Sequence, residues 1–344
     1  MVSGDIAASN GGDLLEAGKA PEDRLELAYT YQRIAGIYKG MGLYKDAIGS
    51  YEKSLDIMLV SCPENAPEIG ETYQGIGECC TCLGLHEEAL SVFEIALDSY
   101  HENAPYRSSA IATLNYRIGC TLDSIGRSDE AYERYTAALD ICRSSCVGNM
   151  AMITDASCRA GRYLMAARRF EEAYIRLKGA LEGAKSMGMR EDPWVASLHN
   201  NLGICCWHIG KHEEATERYR AALRIWSATL PAGHPFMPAL YQNIGFLYSD
   251  MGWYEDALAS YTKALDLKLT QPSEDHVGIV TIYEGMGVCY FRMRMYESAM
   301  GCYRKALDIM ESSIPEDVPG MSSFRDKIVK EYAEADEARR FGPA

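Results

Sequence analysis

The stretch 194–226, "WVASLHNNLGICCWHIGKHEEATERYRAALRIW", holds adjacent cysteines, two histidines, paired glutamates and a glycine in the middle of an apolar helical pattern. Read alone, it invites a metal site or a catalytic pair. Stepping outward from Ala215 by 42 residues in both directions reaches Ala47, Ala89, Ala131, Ala173, Ala257 and Ala299. Eight residues after each alanine stands a leucine, from Leu55 to Leu307. Four residues after it come Tyr51, Phe93, Tyr135, Leu177, Tyr219, Tyr261 and Tyr303. Twelve residues before it stand Ala35, Gly77, Gly119, Gly161, Gly203, Gly245 and Gly287. The register runs without insertion or deletion over 28–321. A self-similarity of this kind outranks any local motif.

Each period carries two helical stripes. Leu198, Leu202, Cys206 and Ile209 mark one; Ala215, Tyr219, Ala222, Leu223 and Trp226 mark the other, with Gly210 as the stop between them. Such a hairpin is too small to bury its own apolar face, so neighbours must stack. Glycine inside a helix costs about 1 kcal/mol relative to alanine. Its recurrence predicts close approach of the two helices, with the small residue facing the alanine of the second helix and the aromatic filling the gap toward the next hairpin.

The small–glycine–alanine–aromatic order resembles the tetratricopeptide repeat. The 42-residue period, "LHNNLG" and the "GHP" loop are most similar to the repeats of kinesin light chains and nephrocystin. The resemblance implies an all-α, right-handed α-solenoid of seven helix-turn-helix repeats over 21–321. A charged capping helix is expected over 322–341, where an eighth register begins at Val329, followed by a tail at 342–344. The first twenty residues, small and polar, are expected to be disordered.

Chemistry is weighed against that scaffold. Cys80 and Cys206 fall where other repeats carry Tyr or Leu, so they read as core thiols. A zinc site from Cys205, His208 and His212 would be interrupted by the Gly210 turn. The acidic pairs recur at every second-helix start, where carboxylates favour the helix dipole. They therefore mark helix ends, not catalysis. No phosphate loop, GxSxG elbow or HExxH is present. The chain reads as noncatalytic and free of metals and cofactors.

A net charge of −15 with a pI near 5.0 argues against nucleic acid as partner. No apolar run approaches the ~20 residues needed to span a bilayer, and the opening stretch lacks a secretory pattern. Twelve cysteines then read as reduced thiols of a cytoplasmic protein.

The family resemblance implies a concave face lined by first helices, on which extended peptides lie. Mapped here, its positions are Gln32, Arg33, Gln74, Glu78, Arg117, Arg159, Arg162, Asn200, Asn201, Trp207, Gln242, Asn243, Phe246, Glu284 and Phe291. Arg117, Arg159 and Arg162 suit a carboxylate. Asn200, Asn201, Gln242 and Asn243 suit a peptide backbone, and Trp207, Phe246 and Phe291 offer apolar anchors. The expected function is a protein-interaction adaptor that binds an acidic or aromatic-acidic peptide. The alternatives are an architectural subunit of a cytoskeletal or ciliary assembly, or a regulator of another protein.

Overall fold

In the computed structural model the described residues are 21–61, 66–101, 108–145, 149–231, 233–270, 275–315 and 318–342. The opening segment 1–20 and residues 343–344 lie outside them. Fifteen helices and no strand occur among these residues. They are α1 (Pro21–Gly40), α2 (Tyr44–Ser61), α3 (Pro67–Cys82), α4 (His86–His101), α5 (Ser108–Ser124), α6 (Ser128–Ser145), α7 (Met150–Ala166), α8 (Phe170–Ser186), α9 (Pro193–His208), α10 (His212–Thr229), α11 (Phe236–Asp250), α12 (Tyr254–Leu269), α13 (His276–Arg292), α14 (Tyr296–Ser313) and α15 (Met321–Phe341).

The chain divides into two units, one ending at Ala167 and the other starting at Arg168, inside the fourth repeat. Within each unit, hairpins stack in chain order. First helices also touch the first helix of the next hairpin: α1 with α3 and α5 with α7 in one unit, α9 with α11 and α11 with α13 in the other. First helices therefore line the tighter side of each stack. The architecture is an all-α solenoid closed by a C-terminal helix.

The register residues form the core. All seven alanines are at most 1 % exposed, and the aromatics that follow are buried with them. The glycine, however, faces the ring and not the alanine. A Cβ at Gly203 would lie 2.5 Å from Tyr219, and Gly77, Gly119, Gly245 and Gly287 meet Phe93, Tyr135, Tyr261 and Tyr303 in the same way. The aromatic ring occupies the place where a Cβ would stand, which is why the position must be small. The expected reach toward the next hairpin is also present. A Cβ at Gly75 would be 2.5 Å from Tyr51, and one at Gly285 would be 2.7 Å from Tyr261.

The turn inside each hairpin needs a left-handed residue. Gly42, Gly84, Gly126, Gly210 and Gly252 supply it with φ of 76–80°. At the same register Arg168 and Arg294 adopt φ of 59° and 62°, a conformation that costs a residue bearing a Cβ about 1–2 kcal/mol. Eight of the ten described cysteines are buried, as core thiols should be. Burial pushes the Cys206 thiol up to about 12 and that of Cys79 to about 11, which keeps both protonated and unreactive.

Two stability changes follow. Gly245→Ala should destabilise by about 1–3 kcal/mol through overpacking. In a Tyr261→Leu background the same change should cost less, giving a coupling of at least about 1 kcal/mol in a urea-denaturation double-mutant cycle. Arg294→Gly should stabilise by about 0.5–1 kcal/mol, the relief of strain less the entropy returned to the unfolded chain.

Candidate functional site

On the face lined by first helices, side chains about one repeat apart meet across neighbouring hairpins. In two places the residue four positions after the small register residue of one hairpin meets the residue one position after it in the next. Lys39 thus reaches Glu78 (2.7 Å), and Trp207 stacks on Phe246 with ring centroids 5.8 Å apart and planes 2° from parallel. The same geometry yields charge pairs in the first unit and aromatic contacts in the second.

In the first unit two of the three expected arginines, Arg117 and Arg159, are already engaged. Arg117 lies 3.0 Å from Glu78, which also takes Lys39 and a hydrogen bond from Gln74 (3.0 Å). Burial alone would raise the Glu78 carboxyl. The Arg117 charge and the bonds from Lys39 and Gln74 outweigh it, and the group is held below its usual range. Arg159 donates to Asp155 (2.6 Å) and pairs with Asp123 (3.2 Å). Arg162 is exposed and forms no ion pair with a described residue. Arg159 and Arg162 line one cavity of about 190 Å³ with Asp123, Tyr135 and Tyr163. Tyr163 stacks on Tyr132 at 4.4 Å and donates to Asp129 (2.6 Å). Among the other mapped positions, Gln32 donates to Thr72 (2.6 Å), bridging two hairpins, while Arg33 is exposed.

In the second unit the amides form their own chain. Asn243 Nδ2 donates to Asn200 Oδ1 (3.0 Å), and Asn200 Nδ2 donates to Asn201 Oδ1 (3.4 Å). That leaves the Asn243 carbonyl, the Asn201 amide N–H groups and the whole half-buried Gln242 amide without a partner among the described residues. Trp207 is fixed by its indole N–H, which donates to Asp250 (2.6 Å). Beyond it, His208 stacks between Trp207 (4.5 Å) and Phe170 (3.9 Å), while Phe246 meets Tyr261 edge-on. Phe291 and Glu284 stand apart from this group. Phe291 packs with Tyr296 and the apolar cluster under α15, and Glu284 is buried beside Lys327. Cys205 is buried in the core, whereas His208 is exposed. No group of three possible metal ligands occurs among the described residues.

Sequence reasoning chose the arginines, Glu78 and Trp207, but neither Asp123 and Asp250 nor the pairing of Glu78 with Arg117. Glu78, Asp123 and Asp250 each stand 36–43 residues from their partner, about one repeat away. That spacing is the signal that could have found them.

A larger cavity of about 420 Å³ lies on the second-helix side of the second unit. Trp226, Leu230, Pro231, Met237 and Tyr241 line it, with Lys263 and Asp266 also present. Two periods on, the equivalent Met310, Ile314, Pro315, Met321 and Arg325 line another of about 300 Å³.

The hairpins, their 42-residue register and the ring-on-glycine contact find their match among known families. Tetratricopeptide repeat models match residues 24–102, 153–228 and 236–312, and a further one matches 112–145. The chain belongs to the tetratricopeptide repeat family. Members of this family serve as protein–protein interaction scaffolds. The fold is similar to that of BtubC from P. vanneervenii, at 18 % identity and TM-score 0.52, covering 68 % of this chain and 96 % of that one. It is also similar to the C-terminal part of a TPR repeat-containing protein from Cytophaga hutchinsonii, at 14 % identity and TM-score 0.53, covering 87 % and 98 %. The kinesin light chain TPR-like repeats of Podosopora anserina match at 15 % identity and TM-score 0.47, over 60 % and 97 %. No curated protein sequence matches the chain. No helix among the described residues is long and apolar enough to cross a membrane.

Arg117→Met should cost about 1 kcal/mol at pH 7, because it strips one of two cations from a largely buried carboxylate. Glu78 titrates lower folded than unfolded, so its contribution is full above about 4.5 and fades as pH falls through the depressed value. The gap between wild type and variant in urea denaturation should narrow accordingly at pH 4.

Proposed function

We propose that the chain is a noncatalytic adaptor that holds an extended peptide against its first helices, with the second unit supplying the main contacts. The unsatisfied amide groups of Asn201, Gln242 and Asn243 carry this reading. They present donors and acceptors at one-repeat intervals, and an extended backbone offers the complementary set. The Trp207–Phe246 stack, rigid because Asp250 anchors the indole, takes an apolar or aromatic side chain.

The arginines divide by role. Arg117 and Arg159 are neutralised by their own acids and serve the scaffold. Arg162, with no ion pair to a described residue, is a cation of the first unit suited to a carboxylate. Phe291 belongs to the seating of α15 and contributes apolar surface there. The ligand class is a peptide or an extended protein segment carrying aromatic and acidic residues. Nucleic acid is disfavoured by the −15 net charge, and the working compartment is the cytoplasm. No metal, cofactor or catalytic group takes part in this reading.

A second reading has its own support. The pair of register-related cavities on the second-helix side suits an architectural subunit of a cytoskeletal or ciliary assembly, gripped from outside.

The test is fluorescence anisotropy with a labelled library of acetylated nonapeptides centred on tryptophan and flanked by glutamate. Asn201→Ala with Asn243→Ala, and separately Trp207→Ala, should each weaken binding at least tenfold. Equal affinity of wild type and the double-alanine variant would remove the assignment. Partner capture lost on Lys263→Glu with Leu267→Asp, and insensitive to the amide changes, would favour the second reading.

A further inference from the structure

The C-terminal helix is seated on the last hairpin by an apolar contact that encloses an unbalanced charge group. Ile328 and Ala335 of α15 are fully buried against Val280, Ala299, Tyr303, Ala306 and Met310, with Phe324 and Tyr332 packed alongside. Within this seat Glu284 of α13 is only 8 % exposed at its side chain, and Glu331 of α15 is 19 % exposed. One amine serves both. Lys327 Nζ lies 2.6 Å from Glu284 and 3.6 Å from Glu331. The second Glu331 oxygen, Oε2, is buried with no hydrogen-bond partner among the described residues.

The remaining groups around the seat do not supply the missing positive charge. From α14 come the Tyr303 hydroxyl, which burial and the two carboxylates keep protonated, and Cys302, whose thiol burial pushes up to about 11. Arg304 of α14 is turned to the Tyr332 hydroxyl (2.7 Å). On α15 itself, Glu334 adds a negative charge near Glu331, and Lys330 is directed to Glu334 (3.8 Å). With both carboxylates ionised, the seat would hold two negative charges against one positive charge in a poorly solvated place, a costly arrangement. A proton on Glu331 removes the excess.

We propose that docking of α15 on the seventh hairpin is a proton-linked latch, in which protonated Glu331 completes the group with Glu284 and Lys327. Loss of that proton loosens the helix and uncovers Glu284 and Phe291 on α13. Burial first, then the Glu284 charge, moves Glu331 up to about 7 from an ordinary 4.5. The docked helix therefore holds a proton that the undocked helix has released between those values. Docking is strongest below about 4.5, weakens as pH rises toward 7, and levels off above it. From pH 6 to pH 8 the docking constant falls roughly tenfold.

Hydrogen exchange on the full chain tests this, using peptides from 321–341 corrected for intrinsic exchange and peptides from α9–α12 as internal reference. In wild type the opening constant of α15 should rise about tenfold between pH 6 and pH 8. In Glu331→Gln, which is uncharged at every pH, it should change less than twofold, while Glu334→Gln should keep most of the wild-type rise. An identical rise in Glu331→Gln, or none in wild type, overturns the latch. An infrared titration of wild type provides the second measurement, independent of any variant. A protonated-carboxyl band should persist at pH 6 and vanish by pH 8, and its absence at pH 6 would also refute the proposal.

Discussion

The array depends on one contact, an aromatic ring laid against a stretch of helix backbone that lacks a Cβ. It sets the distance between the two helices of a hairpin. Because the same ring reaches the following hairpin at Gly75 and Gly285, it also sets the spacing between hairpins. A pair of helices held only by apolar side chains could slide by a residue at small cost. A ring wedged into a Cβ-free notch cannot, because any shift brings it against a neighbouring side chain. The cost of glycine in a helix is thus exchanged for a defined register. The tyrosines carry a further cost. The hydroxyls of Tyr135, Tyr219 and Tyr261 are buried without partners among the described residues, whereas Phe93 fills an equivalent place with no polar atom.

A fixed register makes the ligand-facing side a consequence of the core. Once hairpins repeat at constant spacing, any two inner-face positions about one repeat apart become neighbours, and their chemistry decides what the face does. Lys39 and Arg117 are both engaged by Glu78, and Arg159 by Asp123 and Asp155. These charges rigidify the face and draw little from solvent or ligand. In the second unit the contacts between neighbouring hairpins are made by amides and rings, and the amides satisfy each other only partly. The capacity to bind lies in what the ladder leaves unfilled.

This explains which parts could be read from the sequence. Period, helix count, core alanines, turn glycines and the acidic helix starts all follow from local rules applied to one repeat. The partner of Gly203 did not, because periodicity identifies the buried face of a helix but not which of two neighbouring side chains, Ala215 or Tyr219, meets it. The pairing of Arg159 escaped for a different reason. Arginines were judged against the acidic average of the chain, while their actual partners occupy particular positions a repeat away. Averages describe the solvated surface; a ladder is decided rung by rung. Arg168 and Arg294 show the limit from the other side, since the register alone keeps them left-handed where glycine would be easier.

The C-terminal helix follows the same rules with one element removed. Lys327 occupies the register of Arg117, Arg159, Asn201 and Asn243, so α15 is in effect the first helix of an eighth hairpin. The small residue of the register is not kept, and no ring of a described residue lies on its backbone there. Val329 stands in that register and is 49 % exposed. Lys327, by contrast, still faces the preceding hairpin and still meets its inner-face residue, Glu284. The inward-facing half of the pattern is thus kept in α15, while the position that carries the small residue elsewhere is half exposed. Its charges accordingly differ in kind. Arg325 and Lys330 are exposed, while Lys327 and Glu331 are held in the seat against Glu284.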